Sequence, residues 1–154
     1  MTGTIDNKLH GLGIDLPQAA APAANYVPWV ISGNQVFISG QLPMEAGKIA
    51  VAGRLGDDVS LEDGQRAARL CAINILAQAK AALGNLDRVT RIVRLGGFVA
   101  SADSFTDQPK VVNGASDLMV EVFGDAGRHA RAAVGVNALP LGVAVEIDAI
   151  IEFA

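Results

Sequence analysis

ARAAVGVNALPLGVAVEIDAIIEF, residues 130–153, reads as two strands joined by a turn. Small and β-branched apolar residues fill 131–136 and 143–153, and NALPLG between them carries the Asn, Pro and Gly of a connection. Alternate residues of a strand share a face, so Val145, Ile147, Ala149, Ile151 and Phe153 form one apolar face. Glu146, Asp148 and Ile150 share the other, and Arg131 and Ala133 lie together opposite Ala132 and Val134. A charge on such a strand needs solvent, a counter-charge or a ligand. Two readings stay open. Arg131 pairs with Glu146 or Asp148 in an ion pair that seals a subunit interface. Alternatively, its planar fork clamps the carboxylate of a small anion, which leaves Glu146 to move a proton or orient a water.

Upstream of this stretch the pattern alternates between strand and helix. Residues 4–12 suit one short helix, and LPQAAAPAANYVP (16–28) is kept irregular by its three prolines. VPWVIS and VFISG flank Gly33-Asn34 as a hairpin, with a third short strand over Lys48–Val51. Ser60 opens the clearest helix, with SLED in the form of a capping box and Gly84 as its stop. VTRIVRLGGFVAS is a strand whose Gly96-Gly97 pair signals a bulge or a close backbone approach. Asp107 is placed to cap a second helix, with Pro109 in its first turn and Gly124 at its end. The order predicts an α+β fold in which two helices cover one face of a mixed sheet. The other face has no helix to cover it, so a partner subunit is its expected cover.

The 154 residues fit one domain, 1–154, with 1–21 as an N-terminal arm. Half the residues are hydrophobic (51%) and aromatics are few, so the excess belongs to a generous core or an oligomer interface. Twelve basic and sixteen acidic residues, with no Lys/Arg run, argue against a nucleic-acid partner. The lone Cys71 cannot form an internal disulfide and is expected as a buried helix residue, in keeping with a reducing cytoplasm. No apolar run approaches the roughly 20 residues that span a bilayer, so no membrane partner is expected. The N-terminus has no segment of signal-peptide character. His10 and His129 stand apart from each other and from Cys71, so no metal site is expected.

Three motifs together resemble the reactive intermediate deaminase family, also called the YjgF or endoribonuclease L-PSP family. They are Y26-V-P-W-V-I-S-G-N-Q-V-F-I-S39-G40-Q41, V112-N113-G114-A115, and R131-A-A-V-G-V-N-A-L-P-L-G-V-A-V-E146-I-D-A-I150. The likeness covers about residues 22–153. It implies a chorismate-mutase-like fold and a homotrimer with sites between subunits. The implied activity is hydrolysis of reactive enamines and imines to a 2-keto acid and ammonia, with no cofactor and no metal. By the same resemblance Arg131 holds the substrate carboxylate and Glu146 positions the attacking water. Tyr26, Ser39, Gly40, Asn113 and Ala133 line the pocket.

The chain departs from the pattern at Ala133, where the family's deaminases carry a cysteine, and at A24-N25-Y26 in place of Gly-Pro-Tyr. These departures keep a second function open, a non-catalytic trimer that binds a small carboxylate; ribonuclease action is the least expected. Structural roles remain open for several residues as well. Tyr26 could pack the arm, Ser39 could satisfy its own backbone, Asn113 could bond a loop carbonyl, and Asp148 could be an interface charge.

Overall fold

The computed structural model describes residues 3–21 and 25–154; Met1, Thr2 and the Pro22–Ala24 part of the proline-rich stretch lie outside them. A short helix α1 (Thr4–Gly11) is followed by irregular chain to Ala21. The hairpin β1 (Trp29–Ser32) and β2 (Gln35–Gln41) turns at Gly33, whose φ of +62° is the positive value a tight hairpin turn needs. A second, minimal hairpin, β3 (Met44–Glu45) and β4 (Lys48–Ile49), stands outside the main sheet. The strand expected over Lys48–Val51 therefore ends earlier than its apolar pattern suggests. Ala50 instead donates its N–H to the Pro43 carbonyl at 2.9 Å, outside the β3–β4 pairing.

Then come α2 (Leu61–Leu83), β5 (Val89–Ala100), α3 (Gln108–Phe123), β6 (Ala130–Val136) and β7 (Val145–Phe153). Helix α2 starts where Ser60 Oγ accepts the Asp63 N–H at 3.1 Å, and it stops at Gly84, φ +79°. Asp107 occupies the N-cap position of α3 but makes no side-chain cap bond. Its carboxylate lies 3.8 Å from the Lys110 ammonium instead.

The main sheet runs β1-β2-β7-β5-β6, antiparallel throughout except for the parallel β5–β6 pair that α3 connects. Both long helices lie on one face: α2 on β7 and β2, α3 on β5 and β6. Between helices and sheet lie Ile75, Leu76, Ile92, Leu95, Leu118, Met119, Ile147 and Ile151, all without exposed surface. Burial of each such side chain contributes about 1.5–3 kcal/mol. The helices approach closely because glycines permit it. A Cβ on Gly114 would overlap the Gln65 carbonyl of α2, and one on Gly97 would stand 2.7 Å from Val112 of α3. The Gly96-Gly97 pair is thus a close approach, and the bulges of β5 fall earlier, between Val89 and Arg91 and between Ile92 and Arg94.

The opposite face of the sheet stays open in the single chain. Val30 (51% exposed), Phe37 (40%) and Val134 (44%) leave apolar surface there, beside Glu146, Asp148 and Ile150. Cys71 is fully buried on α2, as expected, and its thiol donates weakly to the Val145 carbonyl at 3.6 Å. Burial chiefly, with the Glu146 charge adding to it, pushes that thiol well above its ordinary pKa.

Candidate functional site

The sheet register decides how the expected site residues relate. Arg131 on β6 pairs with Leu95 on β5, and Leu95 with Ala149 on β7. Glu146 pairs with Phe98, three residues further along β5 and on its other face. Two inter-strand spacings and three residues of rise put the Arg131 and Glu146 backbones roughly 14 Å apart. The side chains also leave on opposite faces: Leu95 is fully buried under the helices, while Glu146 belongs to the open face. Within one chain the two residues cannot hold one small ligand.

Two separate groups result. On the helix side, at the free β6 edge, Arg131 lies against α3. Its Nη1 donates to Ser116 Oγ at 3.0 Å and its Nη2 to the Pro109 carbonyl at 3.1 Å. Pro109, Asn113 and Ser116 lie four and three residues apart, so Asn113 shares the helix face along which the guanidinium runs. Ala133, two residues on, shares Arg131's strand face and packs half-buried at the edge of the core. Two of the five guanidinium donors are engaged by these bonds, which leaves others for an anion. Neither Glu146 nor Asp148 pairs with Arg131, so the ion-pair reading fails within the chain. Asp148 faces Arg94 instead, Oδ1 to Nη1, at 3.7 Å.

The second group is built on a bulge. Ile38 pairs with Ala149 and Gln41 with Ile147, so Ser39 and Gly40 together oppose Asp148 alone. The bulge lays Gly40 over the Glu146 carboxylate, so closely that a Cβ there would stand 2.7 Å from Oε1. Ser39 serves the backbone: its hydroxyl donates to the Val27 carbonyl at 2.8 Å and its N–H to Pro28 O at 3.0 Å. That pair of bonds pins the chain next to Tyr26, which is 48% exposed. Tyr26 and Gly40 line a cavity of about 150 Å³ with Gln41, Leu42, Asn74 and Gln78. Burial first, and the neighbouring Asp148 second, raise the Glu146 pKa above its ordinary value. Asp148 is raised by burial too, against the opposing effects of Arg94 and the Gly96 N–H.

Sequence reasoning missed Ser116 and left His129 without a role. His129 Nε2 lies 2.8 Å from Ser116 Oγ and its Nδ1 2.6 Å from the Gly127 carbonyl. Both were within reach of periodicity. Ser116 follows Asn113 by three on a helix, and His129 precedes Arg131 by two at the start of a strand. Among the described residues no cluster of His, Cys, Asp and Glu could hold a metal, and no helix is long and apolar enough to cross a membrane.

Residues 6–152 match the family described as "YjgF/chorismate mutase-like, putative endoribonuclease". Protein TCP17 of Trypanosoma cruzi is 53% identical over 152 residues, which cover 98% of this chain and 95% of that protein. A crystal structure of an Agrobacterium tumefaciens protein of unknown function superposes with a TM-score of 0.92 at 56% identity, covering 97% of this chain and 92% of that one. The structure of TdcF from E. coli with bound serine superposes with a TM-score of 0.67 at 28% identity, covering 89% and 94%.

Proposed function

Because the chain belongs to the YjgF/chorismate mutase-like family, we propose that it hydrolyses amino-acid-derived imines and enamines to 2-keto acids and ammonia. The sites form between copies of the chain in a homotrimer. One observation carries this reading: the two groups of site residues sit on opposite faces of one sheet, so only a second copy can complete either. The open face with Val30, Phe37 and Val134 is the surface such a copy covers. A bound serine in TdcF supports a small ligand with a carboxylate.

In the assembled site the remaining N–H groups of Arg131 take the substrate carboxylate in a fork. Asn113 and Ala133 border that end, and Tyr26, Ser39 and Gly40 form the wall contributed by the neighbouring copy. An enamine first gains a proton at its β-carbon and becomes the iminium ion. Glu146 then accepts a proton from water as the oxygen bonds to the iminium carbon, and returns it to nitrogen. Collapse of this tetrahedral adduct passes its hydroxyl proton to Glu146, breaks the C–N bond, expels ammonia and leaves the ketone. A carboxyl whose pKa is raised by burial holds a proton more readily than an ordinary one, which suits both transfers. The carbon is already electrophilic, so orientation supplies most of the rate. The thiol absent at Ala133 has no step to perform.

The test generates imines in situ with an amino-acid oxidase and follows ammonia and keto acid. Arg131→Ala and Glu146→Gln are each expected to abolish the catalysed rate. Mixing the two after unfolding and reassembly restores about a quarter of wild-type sites, since each interface draws an intact Arg131 and an intact Glu146 half the time. No recovery on mixing, or a monomer near 15.9 kDa in solution, refutes the shared site. Ala133 favours a second reading, a trimer that binds small carboxylates without turnover; ligand-induced thermal stabilisation with no product from any imine distinguishes it. Ribonuclease action is the least expected in a chain of net charge −4 without a basic run.

A further inference from the structure

The Arg131 guanidinium is the start of a chain of hydrogen bonds that ends in backbone. A carbonyl can only accept, so the 2.6 Å contact of His129 Nδ1 with Gly127 O makes Nδ1 the protonated nitrogen. In the neutral ring Nε2 is then an acceptor, and it takes the Ser116 hydroxyl proton across 2.8 Å. The oxygen lone pairs of Ser116 are thereby turned toward Arg131, whose Nη1 donates across 3.0 Å. From Arg131 Nη1 through the Ser116 hydroxyl and His129 Nδ1, each donor meets one acceptor, and the last is the Gly127 carbonyl. With the Pro109 carbonyl holding Nη2, the guanidinium is fixed at two points on α3.

We infer that Ser116 and His129 are positioning residues, which hold Arg131 in the orientation a substrate carboxylate needs, His129 acting through Ser116 as a neutral ring. This inference rests on the reading of Arg131 as the carboxylate clamp. A fork recognises a carboxylate by two parallel bonds, so rotation of its plane costs affinity although the charge is unchanged. A protonated His129 would donate from Nε2, and Ser116 Oγ would then face two cationic donors and lose its fixed orientation.

The surroundings favour the neutral ring. Burial, opposed by the Gly127 carbonyl and assisted by the Arg131 charge, holds the His129 pKa below its ordinary value. Apart from the exposed Asp117 of α3, the other charged groups of the packed elements are engaged elsewhere: Lys110 lies 3.8 Å from Asp107 and Arg94 3.7 Å from Asp148. Arg128 lies 3.5 Å from Asp125, Arg91 of β5 donates to the Arg128 carbonyl at 3.2 Å, and Glu121 of α3 lies 3.5 Å from Arg69.

The experiment measures the affinity of pyruvate by calorimetry between pH 5 and 8, with turnover of a pyruvate-forming imine alongside. Wild type is expected to lose pyruvate affinity as the pH falls through the His129 titration. Ser116→Ala and His129→Phe bind pyruvate about tenfold more weakly at pH 8, with KM raised and kcat within a few-fold. Ser116→Thr, which keeps the hydroxyl, restores affinity, and Ser116→Ala no longer shows the pH dependence. Wild-type affinity and KM in folded Ser116→Ala and His129→Phe overturn the inference and leave the clamp intact. Failure of the wild type to bind pyruvate or any other 2-keto acid overturns the clamp itself and this inference with it.

Discussion

Gly40→Ala isolates the placement of Glu146 from the stability of the fold. Gly40 has no positive φ, so alanine meets no backbone penalty there. Its methyl carbon, however, would lie 2.7 Å from Glu146 Oε1, 2.9 Å from Cδ and 3.1 Å from Cγ, against an ordinary contact of 3.4 Å or more. The obstructing atoms belong to the far end of a half-exposed side chain, so the carboxylate swings aside and the strand stays in place. The needed movement is about 0.7 Å or more at Oε1. A misplacement on the order of 1 Å in a catalytic group costs about 100-fold in rate, or about 2.7 kcal/mol of barrier. Stability moves far less, because reduced freedom of the unfolded chain, worth about 0.4–1 kcal/mol, offsets part of the crowding. The assay pairs kcat/KM for imine hydrolysis with urea denaturation of the same preparation. A fall of 30-fold or more in kcat/KM, with stability within about 1 kcal/mol of wild type, is expected. Full activity in a folded Gly40→Ala variant would refute the role of Glu146 and the reasoning from the bulge.

Three further outcomes follow from other residues. Asp148→Asn removes a charge that raises the Glu146 pKa, so the acid limb of the kcat/KM profile moves to lower pH; an unmoved limb assigns that titration elsewhere. Gly114→Ala places a methyl against the Gln65 backbone, which has no flexible end to yield, and about 1–3 kcal/mol is lost by urea denaturation as α2 and α3 are forced apart. Cys71, buried and with its thiol pKa raised, stays inert to an aromatic disulfide reagent in native buffer and reacts fully in denaturant; reaction under native conditions shows that α2 opens. The Glu146 proton also bears on stability. A group with a raised folded pKa binds more protons folded than unfolded across that window, so its contribution is full below the unfolded value and fades as pH rises through the folded one.

Local chemistry made much of this fold legible. The alternation in 145–153, the Ser60 cap and the Gly33-Asn34 turn are each decided by residues adjacent in the chain, and the strands and helices stand where those signals put them. Asp107 shows the limit of such signals, because the cap position was right while its carboxylate lies near Lys110 rather than on the helix end. Arg131 and Glu146 could be identified as a pair of chemically purposeful charges, yet their relation could not be read from spacing. Pairing with β5 between them set that relation, three residues apart in register and on opposite faces. The Ser116–His129 contact likewise joins a helix to a strand start through a turn, and no linear period links the two directly. Amino-acid order thus determined the elements and the candidate charges, because backbone propensity and side-chain alternation act over a few residues. Tertiary structure alone decided that those charges stand on opposite faces of the sheet, because strand order and register arise from packing between segments far apart in the chain.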